Sequence, residues 1–222
     1  HELKILKRGG KKRIIKGVMS MKEKLTAEFI KNLSLKKKEP EWMLNFRLKA
    51  YEAFLKIENP SFGPALNFSF DDILYYKKTE EQKHDWKDVQ KDTYHTFCKL
   101  GVVDAENKYL DGVSNQLESE VVYHHNITDK NIIFCSTDEA LQKYPELFKK
   151  YFNTLVKYDE NKYTALNGAV WSGGSFIYIP PYTKLDRPLQ SYFRIDTESL
   201  GQFERTIIIV DEGAELSYIE GC

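Results

Sequence analysis

Residues 169–222 decide the fold; they read AVWSGGSFIYIPPYTKLDRPLQSYFRIDTESLGQFERTIIIVDEGAELSYIEGC. Short apolar runs alternate here with turn residues, and the period of two along Phe176–Ile179 is typical of a β-strand. Further strands are predicted over Leu189–Ile195, Thr206–Val210 and Ala214–Ile219. The unbroken β-branched run Ile207–Val210 favours a strand buried on both faces. Strands of this length and spacing are typical of a sandwich, a barrel or a solenoid, and we expect them to begin near Tyr163.

Helical patterns dominate the chain before this stretch. Residues 21–35 have an amphipathic pattern, and the period of 3.6 returns from Glu41, just after Pro40, as far as Asn59. Two further helices are predicted over residues 86–100 and 138–152, with strands over Ser119–Val122 and Asn131–Cys135. The sequence therefore predicts an α+β protein in three parts: a basic segment with a short helix (1–35), a mainly helical domain (36–160) and a β region (161–222).

Composition argues against several classes of protein. Lys plus Arg and Asp plus Glu both number 33, so the net charge of zero provides no overall attraction to nucleic acid or to an anionic membrane. Basic residues cluster in 4–16 and 36–38, where we interpret them as solvated. No apolar run approaches the roughly 18 residues of a membrane span. Three widely spaced cysteines predict a protein of a reducing compartment without a disulfide framework.

Few residues are candidates for chemistry on their pattern alone. Cys98 and Cys135 lack a Cys-x-x-Cys partner, and the adjacent His124 and His125 would point apart in a strand, so neither pattern predicts a metal site. Gly173-Gly174 lacks the spacing of a nucleotide-binding loop. Cys222, after Gly221, has two interpretations: a small buried apolar residue, or a reactive thiolate held on a β scaffold.

Several motifs carry a resemblance to a known family. They are Trp171–Phe176, Tyr192–Ile195, Gly201–Thr206, Asp211–Gly213 and Glu220–Cys222, with Glu39–Leu44 and Phe46–Tyr51 far upstream. In this order they resemble SufB, within the SufB/SufD family of SUF iron–sulfur cluster assembly scaffolds. The resemblance runs from about residue 30 to the end and is weakest across residues 77–130.

The resemblance implies a fold and a function. It implies an N-terminal helical domain followed by the first coils of a right-handed parallel β-helix, interrupted at Cys222. The function implied is that of a scaffold, not an enzyme, which accepts persulfide sulfur and helps to build a transient iron–sulfur cluster whose ligands lie mostly outside this chain. The implied partners are a SufC-like ATPase, a SufD-like paralogue, a SufE- or SufU-type sulfur carrier and a SufS-type desulfurase, with no nucleic acid and no membrane. The implied location is the bacterial cytoplasm, with a plastid-type organelle as the second option.

The resemblance also assigns roles to individual residues. Cys222 is the candidate sulfur acceptor, and Arg194 is the candidate cation that stabilises its thiolate. Asp196 stands where the family typically has Asn, and it either pairs with Arg194 or marks the loss of a role. The secondary candidates Gln202, Glu204 and Arg205 are otherwise explained by structural pairing.

Three alternative interpretations stay open on the sequence. The chain could be a structural SufD-like paralogue with an inert cysteine, although Glu220–Cys222 and Gly201–Thr206 favour SufB. It could be the N-terminal half of an intein-interrupted SufB, with Cys222 at the splice junction. It could be an unrelated β-solenoid enzyme acting on carbohydrate, which would need clustered carboxylates on one face. The gene sequence beyond Cys222 separates the first two.

Overall fold

The computed structural model describes residues 24–61, 63, 67–125, 127, 129 and 131–222. The predicted basic segment 4–16 and the start of the first predicted helix lie outside these residues. The described helices are α1 (Ala27–Lys36), α2 (Glu41–Lys56), α3 (Lys91–Lys99), α4 (Val102–Tyr109), α5 (Thr137–Lys143), α6 (Pro145–Tyr151) and α7 (Lys162–Val170). The described strands are β1 (Gly112–Leu117), β2 (Glu120–His125), β3 (Ile133–Ser136), β4 (Ser175–Ile179), β5 (Leu189–Arg194), β6 (Ile207–Val210) and β7 (Tyr218–Gly221).

The strands form two sheets, in the orders β2-β1-β5-β7 and β3-β4-β6. The pairs β1–β2 and β3–β4 are antiparallel, whereas β1–β5, β5–β7 and β4–β6 are parallel. From β4 to β7 successive strands alternate between the two sheets. Phe176 pairs with Ile207 and Leu189 with Tyr218, so the chain returns to the same sheet after about 30 residues. The α+β prediction is confirmed, and strands from residues 36–160 and 161–222 share both sheets.

Helices α2 and α7 pack against each other at short distance. Ala50 on α2 and Ala165 and Ala169 on α7 are fully buried. A Cβ atom at Gly168 would lie 2.9 Å from the Ala50 Cβ, so glycine permits this approach. The apolar residues of α7 are crowded into its second half and extend over a wide arc of the helix, so its pattern lacks the period of an amphipathic helix.

A buried ion pair connects these helices to the β region. Arg47 on α2 is fully buried, and its Nε and Nη2 donate to the two Glu39 carboxylate oxygens at 2.8 and 2.6 Å. Its Nη1 donates to the Ala169 carbonyl (3.1 Å) and its Nη2 also donates to the Trp171 carbonyl (2.9 Å). The guanidinium carbon lies 4.7 Å from the centroid of the Trp171 ring. One side chain therefore fixes the direction in which the chain leaves α7.

An aromatic cluster packs beside the Arg47–Glu39 ion pair. Trp171, Phe148 and Phe176 are all fully buried. The Phe148 ring centroid lies 6.2 Å from that of Trp171 and 6.0 Å from that of Phe176, with both pairs stacked. Since each aromatic side chain buries a large apolar area, this cluster makes a major contribution to the shared core.

The structure corrects several sequence predictions. The strand region expected from Tyr163 is wrong at its start, because α7 occupies Lys162–Val170. Residues 138–152 contain two helices, since Pro145 begins a new helix. The prediction that Ile207–Val210 is buried on both faces is also wrong: Ile209 is buried, but Ile208 and Val210 are 43% and 44% exposed. Strand β1 and helix α4 were not predicted.

The described helices include none that is long and apolar enough to cross a bilayer.

Replacement of Arg47 by Met is expected to lower the free energy of unfolding by about 3–5 kcal/mol, because the Glu39 carboxylate would be left buried without its partner. Urea denaturation followed by circular dichroism measures this loss. The double variant Glu39→Leu/Arg47→Met removes both charges and should recover part of the lost stability. A loss in the double variant equal to the sum of the losses in Arg47→Met and Glu39→Leu would show that the pair does not act as a unit.

Candidate functional site

The loop Trp171–Gly174 leads from α7 into β4 in a conformation that requires glycine. Gly173 and Gly174 have φ values of +72° and +95°. A Cβ atom at Gly174 would lie 2.5 Å from the Arg205 carbonyl oxygen, and one at Gly173 would overlap the Gln116 side chain. The Gly174 N–H donates to Gln116 Oε1 (2.9 Å) and the Gly173 N–H to Asp138 Oδ2 (2.9 Å). The loop is therefore held by residues from distant parts of the chain.

Lys37, directly after α1, connects the loop Trp171–Gly174 to the helices. Its side chain is only 4% exposed, and its Nζ lies 2.8 Å from Asp138 Oδ1 and donates to Ser172 Oγ at 2.8 Å. Ser172 Oγ in turn donates to the Ser119 carbonyl at 2.8 Å. A buried ammonium needs such partners to offset its lost hydration. The motif Trp171–Gly174 thus joins α1, α5 and the β1–β2 turn.

Cys222 follows directly after β7, beside β5. In the parallel β5–β7 pair Tyr192 is opposite Gly221. A Cβ atom at Gly221 would lie 2.9 Å from the Tyr192 ring, so the residue before the cysteine has to be small. The Cys222 thiol is free and exposed. Continuing the register by one residue aligns Cys222 with Phe193.

Arg194 lies at the end of β5, paired with another residue. Burial alternates along β5, with Ser191 and Phe193 buried and Tyr192 and Arg194 on the opposite face. The Arg194 Nε donates to Asp196 Oδ1 at 2.7 Å. Of the two interpretations of Asp196, the ion pair with Arg194 is therefore the one observed. Arg194 and Cys222 do lie at the ends of neighbouring strands, but the guanidinium is occupied by Asp196.

Glu118 is a central polar residue that the sequence analysis missed. It lies in the β1–β2 turn with a left-handed φ of 62°, and its side chain is 3% exposed. Its carboxylate accepts hydrogen bonds from the Thr197 hydroxyl and the Asp196 N–H, and lies 3.5 Å from Lys77 Nζ. Its carbonyl accepts from Gln202 Nε2 at 3.1 Å. Two predicted candidates therefore contact the same buried residue: the Asp196 N–H donates to the Glu118 carboxylate, and the Gln202 side chain donates to the Glu118 carbonyl.

The contact between Glu118 and Arg194 depends on the tertiary structure and could not be predicted from the local sequence. The Glu118 N–H donates to the Arg194 carbonyl at 2.8 Å, which connects residues far apart in the chain. A non-glycine residue with positive φ is uncommon, but nothing in the local sequence marks Glu118 as one. Its role depends on the register of β1 against β5, which brings Leu117 beside Arg194.

Arg205 lies outside the cluster around Glu118 and contacts other residues. Its guanidinium donates to Asn167 Oδ1 (3.1 Å) and to the Val156 carbonyl (2.7 Å), and lies 4.9 Å from the Phe152 ring centroid. Burial, followed by repulsion from Arg47, lowers the pKa of Arg205 to about 10. These contacts are the structural pairing that the sequence left open for Arg205.

Glu204, the neighbour of Arg205, is close enough to Glu220 on β7 for the two carboxyl groups to interact electrostatically. Burial raises the pKa of the Glu204 carboxyl, and the Glu220 carboxylate adds to the rise. The Asn167 side chain donates to the Glu204 carbonyl at 3.1 Å. A rise in the pKa of Glu204 favours its neutral form, which reduces its repulsion from the Glu220 carboxylate.

The three cysteines differ sharply in accessibility. Burial, with a smaller contribution from Glu139, raises the pKa of the Cys135 thiol far above its ordinary value. Cys98 and Cys222 are exposed. Within the described residues, no group of three or more His, Cys, Asp or Glu side chains is placed to hold a metal ion. The arrangement therefore supports thiol chemistry at Cys222 and not at Cys135.

Comparison with known proteins gives a family match over most of the chain. The family described as the SufBD protein N-terminal region matches residues 19–191. The chain is 54% identical over 203 residues to an iron-sulfur cluster assembly SufBD family protein of Staphylococcus saprophyticus, and 55% identical to one of Staphylococcus aureus. Each alignment covers 89% of this chain and 44% of the relative. The chain thus spans less than half the length of the curated relatives it matches.

Gly174→Ala is expected to destabilise the protein by about 3–5 kcal/mol, because a left-handed φ and a clash with the Arg205 backbone act together. Gly101→Ala is the matched control, since Gly101 has a φ of +75° but open space around its Cβ position. That variant should lose only about 1–2 kcal/mol. Thermal and urea unfolding of both variants measure the difference, and similar losses would show that the close approach at Gly174 is unimportant.

Alkylation should distinguish the three thiols. With iodoacetamide at pH 8, Cys222 and Cys98 are expected to react in the native protein, and Cys135 only after denaturation. The raised pKa of Cys135 leaves little thiolate, and burial blocks the reagent. Peptide mass spectrometry follows each site over time. Labelling of native Cys135 as fast as Cys222 would contradict this assignment.

Proposed function

Because this chain belongs to the SufBD protein family, we propose that it is the N-terminal part of a SufB-type scaffold for iron–sulfur cluster assembly, and that Cys222 accepts sulfur for the cluster. The family match to an N-terminal region and the names of the relatives support this proposal. The scaffold itself is not an enzyme in this proposal. It works with a SufC-like ATPase, a SufD-like paralogue and a SufS-type desulfurase with its SufE- or SufU-type carrier.

The position of Cys222 is the observation that carries the proposal. It is an exposed free thiol at the end of a strand in the four-stranded sheet, whereas Cys135 lies in the core. Gly221 lets β7 approach the Tyr192 ring, which holds the backbone before the thiol in place. A thiol directly after a paired strand is better positioned than one on a free loop.

The proposed step is an exchange at sulfur. The Cys222 thiolate attacks the outer sulfur of a persulfide on the carrier protein, and a new S–S bond forms at Cys222 Sγ. The S–S bond of the donor breaks, and its cysteine leaves as a thiolate, so charge is conserved and no external oxidant is needed. The iron–sulfur cluster is then the cargo of the complete assembly.

Arg194 is the proposed cation for the Cys222 thiolate, and it would have to leave Asp196 to act. It would also have to change faces, because the register aligns Cys222 with Phe193, whose side chain lies on the opposite face of β5 from that of Arg194. A guanidinium near a thiolate lowers the pKa of the thiol and so raises the fraction that can react. Asp196 competes with the thiolate for the same guanidinium.

The observed Arg194–Asp196 ion pair also favours one alternative function. If Arg194 stays with Asp196, Cys222 loses its proposed cation, and the chain is better explained as a structural, SufD-like member of the family. Sulfur transfer to Cys222 distinguishes the two functions.

We also propose that the strands begin a right-handed parallel β-helix. The alternation of β4 to β7 between two sheets, with parallel partners about 30 residues apart, supports this proposal. Further coils in the longer relatives would pair with β6 and β7 and would cover Ile208, Val210 and Ile219, which are exposed in this chain.

Incubation of the protein with a desulfurase, its carrier and free cysteine under anaerobic conditions should add one sulfur atom to Cys222. Peptide mass spectrometry identifies the modified residue. Cys222→Ser should abolish the sulfur addition, whereas Cys98→Ser, which removes the other exposed thiol, should leave it unchanged. Asp196→Asn should increase the rate by freeing Arg194. Sulfur on Cys98 with none on Cys222 would overturn the assignment, and no sulfur on any of the three cysteines would support the SufD-like alternative.

A further inference from the structure

A groove follows the free edge of strand β6. In the sheet β3-β4-β6 this strand is the last, so one of its edges has no partner among the described strands. The groove beside it has a volume of about 990 Å³ and is lined by Arg205, by Ile207–Val210 and by residues between Lys150 and Asn167. Neither Cys222 nor Arg194 lines it, so the proposed sulfur chemistry does not explain the groove.

The groove exposes large apolar side chains. Leu155 and Val156 are 91% and 54% exposed, and Ile208 and Val210 on β6 are 43% and 44% exposed. Covering such side chains is favourable, because it removes apolar surface from water. The unpaired edge of β6 also offers backbone donors and acceptors to a further strand. The groove therefore favours an extended segment with apolar side chains.

Arg205 brings a positive charge to the groove without a negative charge to balance it. The guanidinium donates to Asn167 Oδ1 at 3.1 Å and to the Val156 carbonyl at 2.7 Å, and both acceptors are uncharged. Among the described residues, no carboxylate forms an ion pair with it. Proteins normally pair a cation that is withdrawn from water with a carboxylate. The half-buried Arg205 therefore lacks one partner that its chemistry favours.

The two carboxyl groups that line the groove, those of Glu204 and Asp211, do not supply this partner. Burial raises the pKa of Glu204, whereas pairing with a guanidinium would lower it. Asp211 accepts hydrogen bonds from the Tyr178 hydroxyl at 3.2 Å and from the Glu212 N–H at 2.9 Å. A carboxylate for Arg205 therefore has to come from whatever occupies the groove.

The position of Arg205 indicates which face of the occupant carries the carboxylate. Its guanidinium carbon lies 4.9 Å from the centroid of the Phe152 ring, and Phe152 belongs to the same apolar cluster as Ile209. Ile208 and Val210 lie on the opposite face of β6, because side chains alternate along a strand. In a strand paired with β6, the carboxylate therefore belongs on the face of Ile209, and apolar side chains belong on the face of Ile208 and Val210.

We propose that this groove is the docking site of an extended segment in which a Glu or Asp lies between apolar residues, and that Arg205 recognises its carboxylate. The segment pairs with the free edge of β6. Its source is the continuation of the chain in the longer relatives, so the inference rests on the proposed β-helix and adds a recognition residue to it. A guanidinium suits this role, because it binds a carboxylate through charge-assisted hydrogen bonds of defined geometry.

Titration with the peptide acetyl-Thr-Val-Glu-Val-Thr-Val-Thr-amide, followed by calorimetry and by NMR shifts of the backbone amides, tests the proposal. As a strand, this peptide places Glu on one face and all its Val side chains on the other. Saturable binding is expected with one site per chain and with the largest shifts in Ile207–Val210. The same peptide with Gln in place of Glu should bind about tenfold more weakly, the usual effect of losing a hydrogen bond to a charged group.

Variants of the protein identify the residue that recognises the carboxylate. Arg205→Met should bind the Glu and Gln peptides with equal affinity, because the charge that distinguishes them is gone. Arg187→Met, which removes an arginine outside the groove lining, is the matched control and should keep the tenfold preference of about 1.4 kcal/mol. Circular dichroism confirms that each variant is folded. If Arg205→Met does not fold, the comparison of the two peptides on the unmodified protein still decides the need for a carboxylate.

Three results would each overturn the proposal: no saturable binding of the Glu peptide, equal affinity of the unmodified protein for both peptides, or a preference for Glu that survives in Arg205→Met. Equal affinities with shifts in Ile207–Val210 would reject the role of Arg205 and leave the proposed strand pairing at β6 intact. Since sulfur loading of Cys222 is measured separately, the proposed sulfur transfer and the proposed docking site can fail independently.

Discussion

The burial of the Arg47 guanidinium is the constraint on which the rest of this structure depends. A charge that is fully removed from water is stable only when its donors find acceptors, and four of the five N–H groups of Arg47 donate to Glu39 and to the carbonyls of Ala169 and Trp171. These carbonyls lie where α7 ends. The ion pair therefore determines where the chain enters the loop that leads to β4, and with it the placement of the three-stranded sheet.

The loop Trp171–Gly174, which follows α7, connects the Arg47 ion pair to the sheets. Lys37 brings α1 to Ser172, and Gln116 brings β1 to Gly174, so residues from the helical and strand regions contact the same four-residue loop. Strand pairing crosses the same boundary, because β1 pairs with β5 and β3 with β4. Contacts that share partners in this way are energetically coupled, and we expect the two regions to unfold together.

The candidate reactive and binding residues lie at the edges of the two sheets. Cys222 is exposed beside β5, the Glu118 cluster holds the backbone of Arg194 and Asp196, and the groove at the free edge of β6 is lined by Arg205. A rigid core with polar groups at its rim is the usual way in which a fold supports reactive or binding side chains. The chain belongs to the SufBD protein family, whose N-terminal region matches residues 19–191.

By itself, the sequence predicted α2 and the strands β4, β5 and β6, because these depend on local periodicity. It also identified Cys222 as the candidate sulfur acceptor, because this residue belongs to a recognisable motif. It did not reveal α7, whose small apolar residues lack a helical period, or that Ile208 and Val210 are exposed, since both depend on neighbouring elements. Only the tertiary structure decided that Asp196 holds Arg194, that Glu118 joins Asp196 to Gln202, and that Glu106 orients His125. The contacts of Glu118 and of Glu106 join residues that are distant in the chain. Strand register and helix packing create these contacts, and neither can be read from a local sequence pattern.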